Sequence, residues 1–234
     1  MASLPPASVV IPAAGEGCRL PGSVRKPYRS LRGRPVLIRT LEAFRGLGFV
    51  REIVLVLHPG DLERVERRWR KALAALKVSS IVPGGETRAE SVARGVLATS
   101  PSSRLILVHD AARPLVTPGE VRSVARTAAL KGAAILAIPC ADTVKRISPD
   151  WSIRNTMDRN ELWLAQTPQA FRRPLLLRAC RAWLEGGRSG TPTDDAALLE
   201  GSRKVFVVPG TGGNFKISTP LDLERARILW NPPA

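Results

Sequence analysis

Short apolar, β-branched segments alternate along the chain with segments in which apolar residues recur every three or four positions. The first kind predicts buried strands, and the second predicts amphipathic helices. The predicted strands cover 8–11, 53–57, 78–82, 105–108 and 133–138, and the predicted helices cover 36–44, 62–76, 89–97 and 118–130. This alternation predicts an α/β fold, with a mostly parallel sheet that carries helices on both faces.

Residues 139–160 break the alternation. Residues 142–147, a turn at 148–150 and residues 151–158 predict a protruding β-hairpin, and such an arm commonly reaches a neighbouring subunit. Further strands are predicted at 162–164 and 204–208, and further helices at 174–184, 194–199 and 220–230. We therefore expect one domain over residues 1–234, with the arm at about 139–160 as its only excursion.

Composition narrows the class of protein. The chain has 234 residues, of which 44% are hydrophobic and 24% charged, so it can bury a core large enough for one domain. Its apolar runs are much shorter than the roughly 18 residues that span a bilayer, and the first residues lack a basic segment typical of a signal peptide. A cytoplasmic protein is expected. Cys18, Cys140 and Cys180 are too scattered for a disulfide framework or a metal knuckle, which predicts reduced thiols.

The formal net charge of +16 favours anionic partners such as nucleotides, phosphorylated metabolites or nucleic acid. Residues 19–41 carry seven basic side chains and no acidic one, so the positive charge is dense near the N-terminus. Aromatic residues make up only 5% of the chain and form no stacking motif, which makes nucleic acid the weaker interpretation. A solvated basic surface without any partner is the alternative.

A glycine-containing loop follows the first predicted strand. Pro12, Ala13, Ala14, Gly15, Glu16, Gly17, Cys18 and Arg19 occur in this order, and Lys26 lies seven residues further on. Glycines let backbone N–H groups approach an anion closely, and the two cations add charge, so the segment is suited to a triphosphate. The P-loop pattern does not occur, and Leu20 stands where a dinucleotide fingerprint needs a third glycine. The alternative is a glycine turn beside an ordinary surface arginine.

Two more clusters follow predicted strands. Gly84 and Gly85 precede Ser91, and the glycines could admit a base or ribose that Ser91 bonds; alternatively, or in addition, Thr87 and Glu90 cap the next helix. In the second cluster, Asp110 follows His109 at the end of a strand. A carboxylate beside bound phosphates is well placed to hold Mg²⁺, although it could also cap a turn. His109 itself is interpreted as a packed, hydrogen-bonded residue.

The remaining polar motifs are individually weak but fit a phosphomonoester, which arginine forks and threonine hydroxyls recognise well. Taken together, the motifs resemble the 2-C-methyl-D-erythritol 4-phosphate cytidylyltransferase family over nearly the whole chain. The resemblance rests on Pro12-Ala13-Ala14-Gly15-x-Gly17-x-Arg19, Gly84-Gly85-x-x-Arg88-x-x-Ser91, His109-Asp110-Ala111-Ala112-Arg113-Pro114, Asp142-Thr143-x-Lys145, Asp158-Arg159-Asn160, Thr167-Pro168-Gln169, Thr193-Asp194 and Asn214-x-Lys216.

The resemblance implies a cytoplasmic, Mg²⁺-dependent homodimer of Rossmann-like nucleotidyltransferase fold, which joins CTP to 2-C-methyl-D-erythritol 4-phosphate and releases pyrophosphate. It implies a CTP site formed by Ala13, Ala14, Gly15, Gly17, Gly85, Ser91 and Ala111, with Asp110 serving the metal. Arg19, Lys26, Lys216 and Arg159 would be catalytic. The acceptor phosphate would be bound by Arg113, Thr143, Arg159, Thr167, Thr193 and Lys216, some of them supplied by the partner subunit's arm.

The segment around Lys26 departs from this family. The family usually shows Pro-Lys-Gln, whereas this chain has Arg25-Lys26-Pro27-Tyr28. Proline fixes φ and removes an N–H group, which leaves the path of the loop and the direction of Lys26 open. Two other functions also stay open at this point: a sister cytidylyltransferase for another alditol phosphate such as ribitol 5-phosphate, and an inactive nucleic-acid-binding or regulatory protein on the same fold.

Overall fold

The computed structural model describes residues 3–15, 25–186, 190 and 192–230. In chain order its strands are β1 (Ala7–Ala13), β2 (Ser30–Leu31), β3 (Arg34–Pro35), β4 (Val50–Leu57), β5 (Val78–Pro83), β6 (Leu105–Val108), β7 (Ala133–Pro139), β8 (Lys145–Ile147), β9 (Ile153–Thr156), β10 (Trp163–Arg172) and β11 (Phe206–Pro209). Its helices are α1 (Val36–Glu42), α2 (Leu62–Ala75), α3 (Arg88–Leu97), α4 (Pro118–Lys131), α5 (Arg173–Glu185) and α6 (Pro220–Leu229). Short 3-10 turns lie at Lys26–Tyr28, Pro59–Asp61, Arg159–Glu161 and Ala196–Leu198.

Within these residues the central sheet has seven strands in the order β11-β7-β10-β6-β1-β4-β5. β1 runs parallel to both neighbours, and Val10 lies opposite Val54 of β4 and Val108 of β6. β10 is antiparallel to β6 and to β7. The mostly parallel α/β sheet predicted from the sequence is therefore confirmed.

Side chains of each strand alternate between two apolar layers. Val9 and Ile11 pack in the layer that contains residues of α1, α2 and α4, whereas Val10 packs in the layer that contains α3 and α5. A smaller cluster joins α6 to the loop after β6 through Ile217 and Ala112. Helices thus cover both faces, and the cluster under α6 fixes the segment that carries Lys216.

The largest difference from the sequence prediction is β10. We expected only 162–164 to be extended, whereas the strand runs from Trp163 to Arg172 in the middle of the sheet. Its centre contains Gln166, Thr167 and Gln169, which are polar yet at most 4% exposed. An apolar pattern cannot reveal such a strand, because its buried polar groups are satisfied by distant partners.

The predicted arm is a hairpin, as expected. β8 and β9 pair antiparallel, with Lys145 opposite Thr156. Trp151 and Ile153 are exposed on it, at 83% and 63%. The contact of this arm with another subunit stays a prediction.

The composition also led to expectations about membrane segments and cysteines. No helix in the described part of the chain is long and apolar enough to cross a membrane. Cys140 and Cys180 are free thiols, and Cys18 lies outside the described residues.

Candidate active site

The carboxyl ends of β1, β4, β5 and β6 meet at one edge of the sheet, where ligands of open α/β sheets bind. A cleft of about 610 Å³ opens at this edge. It brings together nine of the residues predicted from the sequence, which are Ala13, Ala14, Gly15, Lys26, Gly85, Ser91, Asp110, Ala111 and Lys216. Gly17 and Arg19 lie outside the described residues.

The turn between β5 and α3 requires glycine for steric reasons. A Cβ atom on Gly84 would lie 2.2 Å from Cβ of Ala14 and 3.2 Å from the carbonyl oxygen of Leu57. The backbone N–H of Gly85 donates to Oγ of Ser91 at 3.0 Å. Ser91 therefore holds the turn by accepting this bond, and its side chain also lines the cleft.

The first turn of α3 stabilises the same wall of the cleft. Thr87 accepts a hydrogen bond from the backbone N–H of Glu90 at 3.1 Å, as the predicted helix cap requires. The buried Glu90 carboxylate accepts from the N–H of Glu86 at 3.0 Å and pairs with Arg94 at 2.7 Å. The capping and ligand-binding interpretations of this cluster are thus compatible.

Asp110 lies among three cations. Its carboxylate oxygens lie 3.0 Å from Nζ of Lys216, 3.3 Å from Nε of Arg88 and 3.4 Å from Nε of Arg113. Burial by itself would raise the pKa of the Asp110 carboxyl, but the charges of Arg88, Lys216 and Arg113 hold this pKa well below its ordinary value. Asp110 is therefore ionised at neutral pH.

Arg88 connects Asp110 to the buried Asp195, to which the sequence analysis gave no role. Both terminal nitrogens of its guanidinium lie 2.9 Å from the carboxylate oxygens of Asp195, which is 1% exposed. Gln169 of β10 in turn accepts from the backbone N–H groups of Asp195 and Ala196, both at 3.0 Å. The buried strand thereby fixes Asp195, which orients Arg88 beside Asp110.

His109 and Thr167 lie beneath the cleft. Nε2 of His109 is 3.0 Å from the carbonyl oxygen of Arg113, and because a carbonyl only accepts, this nitrogen carries the proton. Nδ1 then accepts from the Thr167 hydroxyl at 3.1 Å, while that hydroxyl accepts from the N–H of Asp110 at 3.0 Å. Complete burial lowers the pKa of His109 to about 4, so its imidazole is neutral. The structure thus places Thr167 behind Asp110, and its contact with a substrate stays a prediction.

The segment with Lys216 is tied to the loop after β6. Arg113 donates to the carbonyl oxygen of Asn214 at 2.7 Å, and the N–H of Ile217 donates to the carbonyl of Ala112 at 2.8 Å. The buried Asn214 amide donates to the carbonyl of Thr167 at 2.8 Å. These bonds explain how a lysine so far along the chain reaches Asp110.

Of the six predicted substrate-binding residues only Lys216 lines the cleft; Arg113 and Thr167 lie behind Asp110, and the other three lie elsewhere on the surface. Thr143, Arg159 and Thr193 are exposed, and Arg159 donates to the carbonyl of Ala141 at 3.0 Å near the base of the arm. Their role stays a prediction. The cleft instead includes His58, Glu86 and Arg88, to which the sequence analysis gave no role, although Arg88 belonged to a recognised motif.

The donor set allows one kind of metal site. Within the described residues, no three His, Cys, Asp or Glu side chains are grouped so that they could hold a metal ion. Asp110 offers a single ionised carboxylate to the cleft. Mg²⁺ commonly takes one or two carboxylates and completes its shell with phosphate oxygens and water, so Asp110 fits this ion if a polyphosphate supplies the other ligands.

Comparisons with known proteins agree over the length of the chain. A family model for 2-C-methyl-D-erythritol 4-phosphate cytidylyltransferase matches residues 7–231. Relatives with that name from Pelotomaculum thermopropionicum and Symbiobacterium thermophilum are 42% and 41% identical, covering 95% and 98% of this chain and 93% and 94% of their own. The crystal structure of 4-diphosphocytidyl-2C-methyl-D-erythritol synthase from Anaerococcus prevotii has a TM-score of 0.82 at 31% identity, covering 96% of this chain and 95% of its own.

Proposed function

The chain belongs to the 2-C-methyl-D-erythritol 4-phosphate cytidylyltransferase family, and on this premise we propose how its cleft works. The enzyme transfers CMP from CTP to 2-C-methyl-D-erythritol 4-phosphate, releasing pyrophosphate, in the non-mevalonate route to isoprenoid precursors. One observation carries this assignment beyond the family match. Backbone amides, Lys26, Asp110 and Lys216 from separate parts of the chain line a single cleft.

We assign the CTP site to the walls of this cleft. Ala13, Ala14 and Gly15 would meet the nucleotide mainly through their backbone, as would Gly85 and Ala111, with Ser91 adding its hydroxyl. Gly17 and Arg19 complete the loop in this proposal. Lys26 and Arg19 would neutralise the triphosphate, because cations and bare amide groups are the groups that stabilise phosphate oxygens.

Asp110 would hold Mg²⁺ together with phosphate oxygens of CTP. The ion would supply further positive charge at the phosphoryl oxygens during transfer. Nζ of Lys216 lies 3.0 Å from a carboxylate oxygen of Asp110. A phosphate that binds in the cleft would give this lysine a second anionic partner. Lys216 can therefore serve both the carboxylate and the transferring group.

The acceptor phosphate would be bound by Lys216, Arg113, Thr167 and Thr193 of one subunit and by Thr143 and Arg159 of the arm. Exposure of the last two residues, away from the cleft of their own subunit, supports a contribution across a homodimer interface. A cytoplasmic homodimer is thus part of this proposal.

The chemistry needs no covalent enzyme intermediate. The acceptor phosphate is already an anionic nucleophile, so its attack on the α-phosphorus depends on alignment and on neutralising charge more than on a base. Arg19, Lys26, Lys216 and Arg159 are the cations assigned to that task. His109 is neutral and points away from the cleft into its bonds with Arg113 and Thr167, so it is not assigned a proton transfer.

The test is an acceptor and nucleotide screen scored by pyrophosphate release. CTP with 2-C-methyl-D-erythritol 4-phosphate and Mg²⁺ should give rapid release, whereas ATP, GTP or UTP, and CTP without acceptor, should give little. Ribitol 5-phosphate is the matched alternative acceptor. Faster turnover with ribitol 5-phosphate, or release that does not depend on an acceptor, would overturn the assignment.

A further inference from the structure

The segment that carries Lys26 is fixed on both sides by contacts outside the cleft. Before it, Nη1 of Arg25 lies 2.6 Å from Oδ2 of Asp61. After it, the ring of Tyr28 packs on Trp69 of α2 with centroids 5.7 Å apart. The N–H of Tyr28 donates to the carbonyl of Arg25 at 3.0 Å and closes the turn between these two anchors.

The Asp61 carboxylate pairs with arginines and does not cap its own helix. It stands at the N-cap position of α2, yet its carboxylate makes no capping hydrogen bond there. Its side chain is 8% exposed, and its second oxygen lies 2.9 Å from Nη2 of Arg64. Burial opposes the charge of Asp61, but the hydrogen bond from Arg25 and the charges of Arg25 and Arg64 lower its pKa overall. It is therefore an ionised, buried partner for Arg25.

Arg64 joins the two anchors into one cluster. Its guanidinium carbon lies 4.8 Å from the centroid of the Tyr28 ring, while the same side chain pairs with Asp61. The turn Pro59–Asp61 also follows directly on His58, which lines the same cleft as Lys26. The cluster of Arg25, Tyr28, Asp61, Arg64 and Trp69, here called the α2 anchor, therefore ties the Lys26 segment to the wall formed after β4.

The α2 anchor coincides with the departure from the family pattern. Arg25 and Pro27 occupy the two positions where the chain differs from Pro-Lys-Gln, and Pro27 is buried. Despite that change, Lys26 lines the same cleft as Asp110 and Lys216. In this chain, Arg25 provides the polar contact that holds the segment, through its pair with Asp61.

We propose that Asp61, acting through Arg25, is a positioning residue that fixes Lys26 for the β- and γ-phosphates of CTP. This inference rests on the proposed function. Asp61 is not itself in contact with the nucleotide in this proposal. Without the pair, the Lys26 segment would have to be ordered when CTP binds, and that ordering cost would weaken binding of the triphosphate.

Loss of the α2 anchor should weaken the binding of the triphosphate selectively. CMP lacks the β- and γ-phosphates, so the loss of the anchor should leave its affinity unchanged. The acceptor site is formed by other segments and should also be unaffected. Substituting a residue that only supports the fold would instead weaken the binding of every ligand, or would lower thermal stability alone.

The experiment compares Asp61→Asn and Arg25→Gln with Glu63→Gln, a matched loss of one acidic charge at an exposed position in the first turn of α2. KM values for CTP and for the acceptor are measured with the holoenzyme, and CTP and CMP binding by titration calorimetry. Both anchor variants should raise KM and Kd for CTP about tenfold. The Kd for CMP and the KM for the acceptor should stay within about twofold of the wild-type values. The double variant should be no worse than Asp61→Asn alone, because that substitution already removes the charged partner through which Arg25 acts.

Unchanged CTP affinity in the anchor variants, an equal loss for CMP, or additive effects in the double variant would overturn the inference. If Asp61→Asn does not fold, the Arg25→Gln variant alone tests the inference. Arg25 is partly exposed, so its substitution disturbs the fold less. Measurements on the wild type separate a failure of the proposed function from a failure of the anchor. A wild type that binds CTP but does not transfer CMP contradicts the proposed function, while the calorimetric comparison still tests the anchor.

Discussion

Lys216 is the cation beside Asp110 with the most freedom to meet a ligand. Its side chain is 37% exposed, compared with 28% for Arg88 and 11% for Arg113, and its Nζ lies 3.0 Å from the carboxylate. Arg88 and Arg113 are also held by Asp195 and by the carbonyl of Asn214. All three cations stabilise the Asp110 carboxylate, and Lys216, the most exposed of them, is the one best placed to bind a phosphate as well.

Replacing Lys216 by alanine should therefore lower kcat/KM by about a hundredfold or more, because a cation aimed at developing phosphoryl charge is lost. Steady-state pyrophosphate release measures this effect. Thermal unfolding should change little, and the exposed Lys204→Ala provides a control for the loss of one positive charge. Wild-type rates in the Lys216 variant would remove its assigned role.

His109 makes stability depend on pH. The unfolded chain protonates a histidine near pH 6.5, whereas burial lowers the pKa of His109 in the folded protein to about 4. Between these values the unfolded state binds more protons, so the free energy of unfolding should fall as the pH drops from 6.5 towards 4, by up to about 3 kcal/mol. Asp110 stays ionised over this range because its pKa is held low.

Urea denaturation at pH 7, 6 and 5 measures this dependence, and His109→Gln serves as the comparison. The variant should show a shallower loss of stability on acidification, since glutamine has no proton to gain. Equal slopes for the variant and the wild type would contradict the assignment of a buried, neutral His109.

At the scale of elements, most strands and helices could be predicted because their apolar patterns are local. β1, β4, β5 and β6 begin and end within three residues of the predicted bounds, and α1 ends at Glu42 rather than 44. β10 could not be predicted in the same way. Its buried Gln169 is satisfied by Asp194, Asp195 and Ala196, which lie about 25 residues later, and no local pattern records such a partnership.

The turn between β5 and α3 gives the sharpest prediction at this scale. Alanine at position 84 would place Cβ within 2.2 Å of Ala14 and 3.2 Å of a backbone oxygen, so the turn or the nucleotide loop must move. Gly84→Ala should lower the free energy of unfolding by about 1–3 kcal/mol and weaken CTP binding. Denaturant unfolding and calorimetry with CTP measure the two effects.

Gly119→Ala is the matched control. The nearest atom to the added Cβ lies 3.8 Å away, in the first turn of α4, so there is room for it. This variant should be as stable as the wild type or slightly more stable, because alanine favours a helix. Equal behaviour of the two alanine variants would contradict the close packing described for Gly84.

For the whole molecule, the topology of the sheet determines which site residues can be predicted from the sequence. Most of the nine predicted residues that line the cleft belong to segments that follow β1, β5 or β6, and the ends of these parallel strands share one edge of the sheet. The pairs Arg25–Asp61 and Arg88–Asp195 join residues 36 and 107 positions apart. Their partnership depends on how loops from different strands approach each other, which the pattern of hydrophobic and polar residues does not specify.

A substitution in the exposed arm tests whether the protein forms a dimer through this arm. Ile153→Ser on β9 removes an apolar side chain that is 63% exposed, and if the arm contacts a partner, the variant should sediment closer to the monomer and turn over more slowly. Leu130→Ser on α4, a comparably exposed leucine at 71%, should leave the mass unchanged. A wild type that sediments as a monomer, or equal masses for both variants, would contradict an arm-mediated dimer.

If this cleft transfers CMP from CTP to an alditol phosphate, the α-phosphate of CTP must end up in the product. The most direct measurement follows CTP labelled with ³²P at the α-phosphate in the presence of 2-C-methyl-D-erythritol 4-phosphate and Mg²⁺. We predict that the label appears in the cytidine diphosphate derivative of the alditol, one for each pyrophosphate released, and that Asp110→Asn nearly abolishes the transfer. Label released as free CMP, or product formed at an equal rate by the Asp110 variant, would contradict the account.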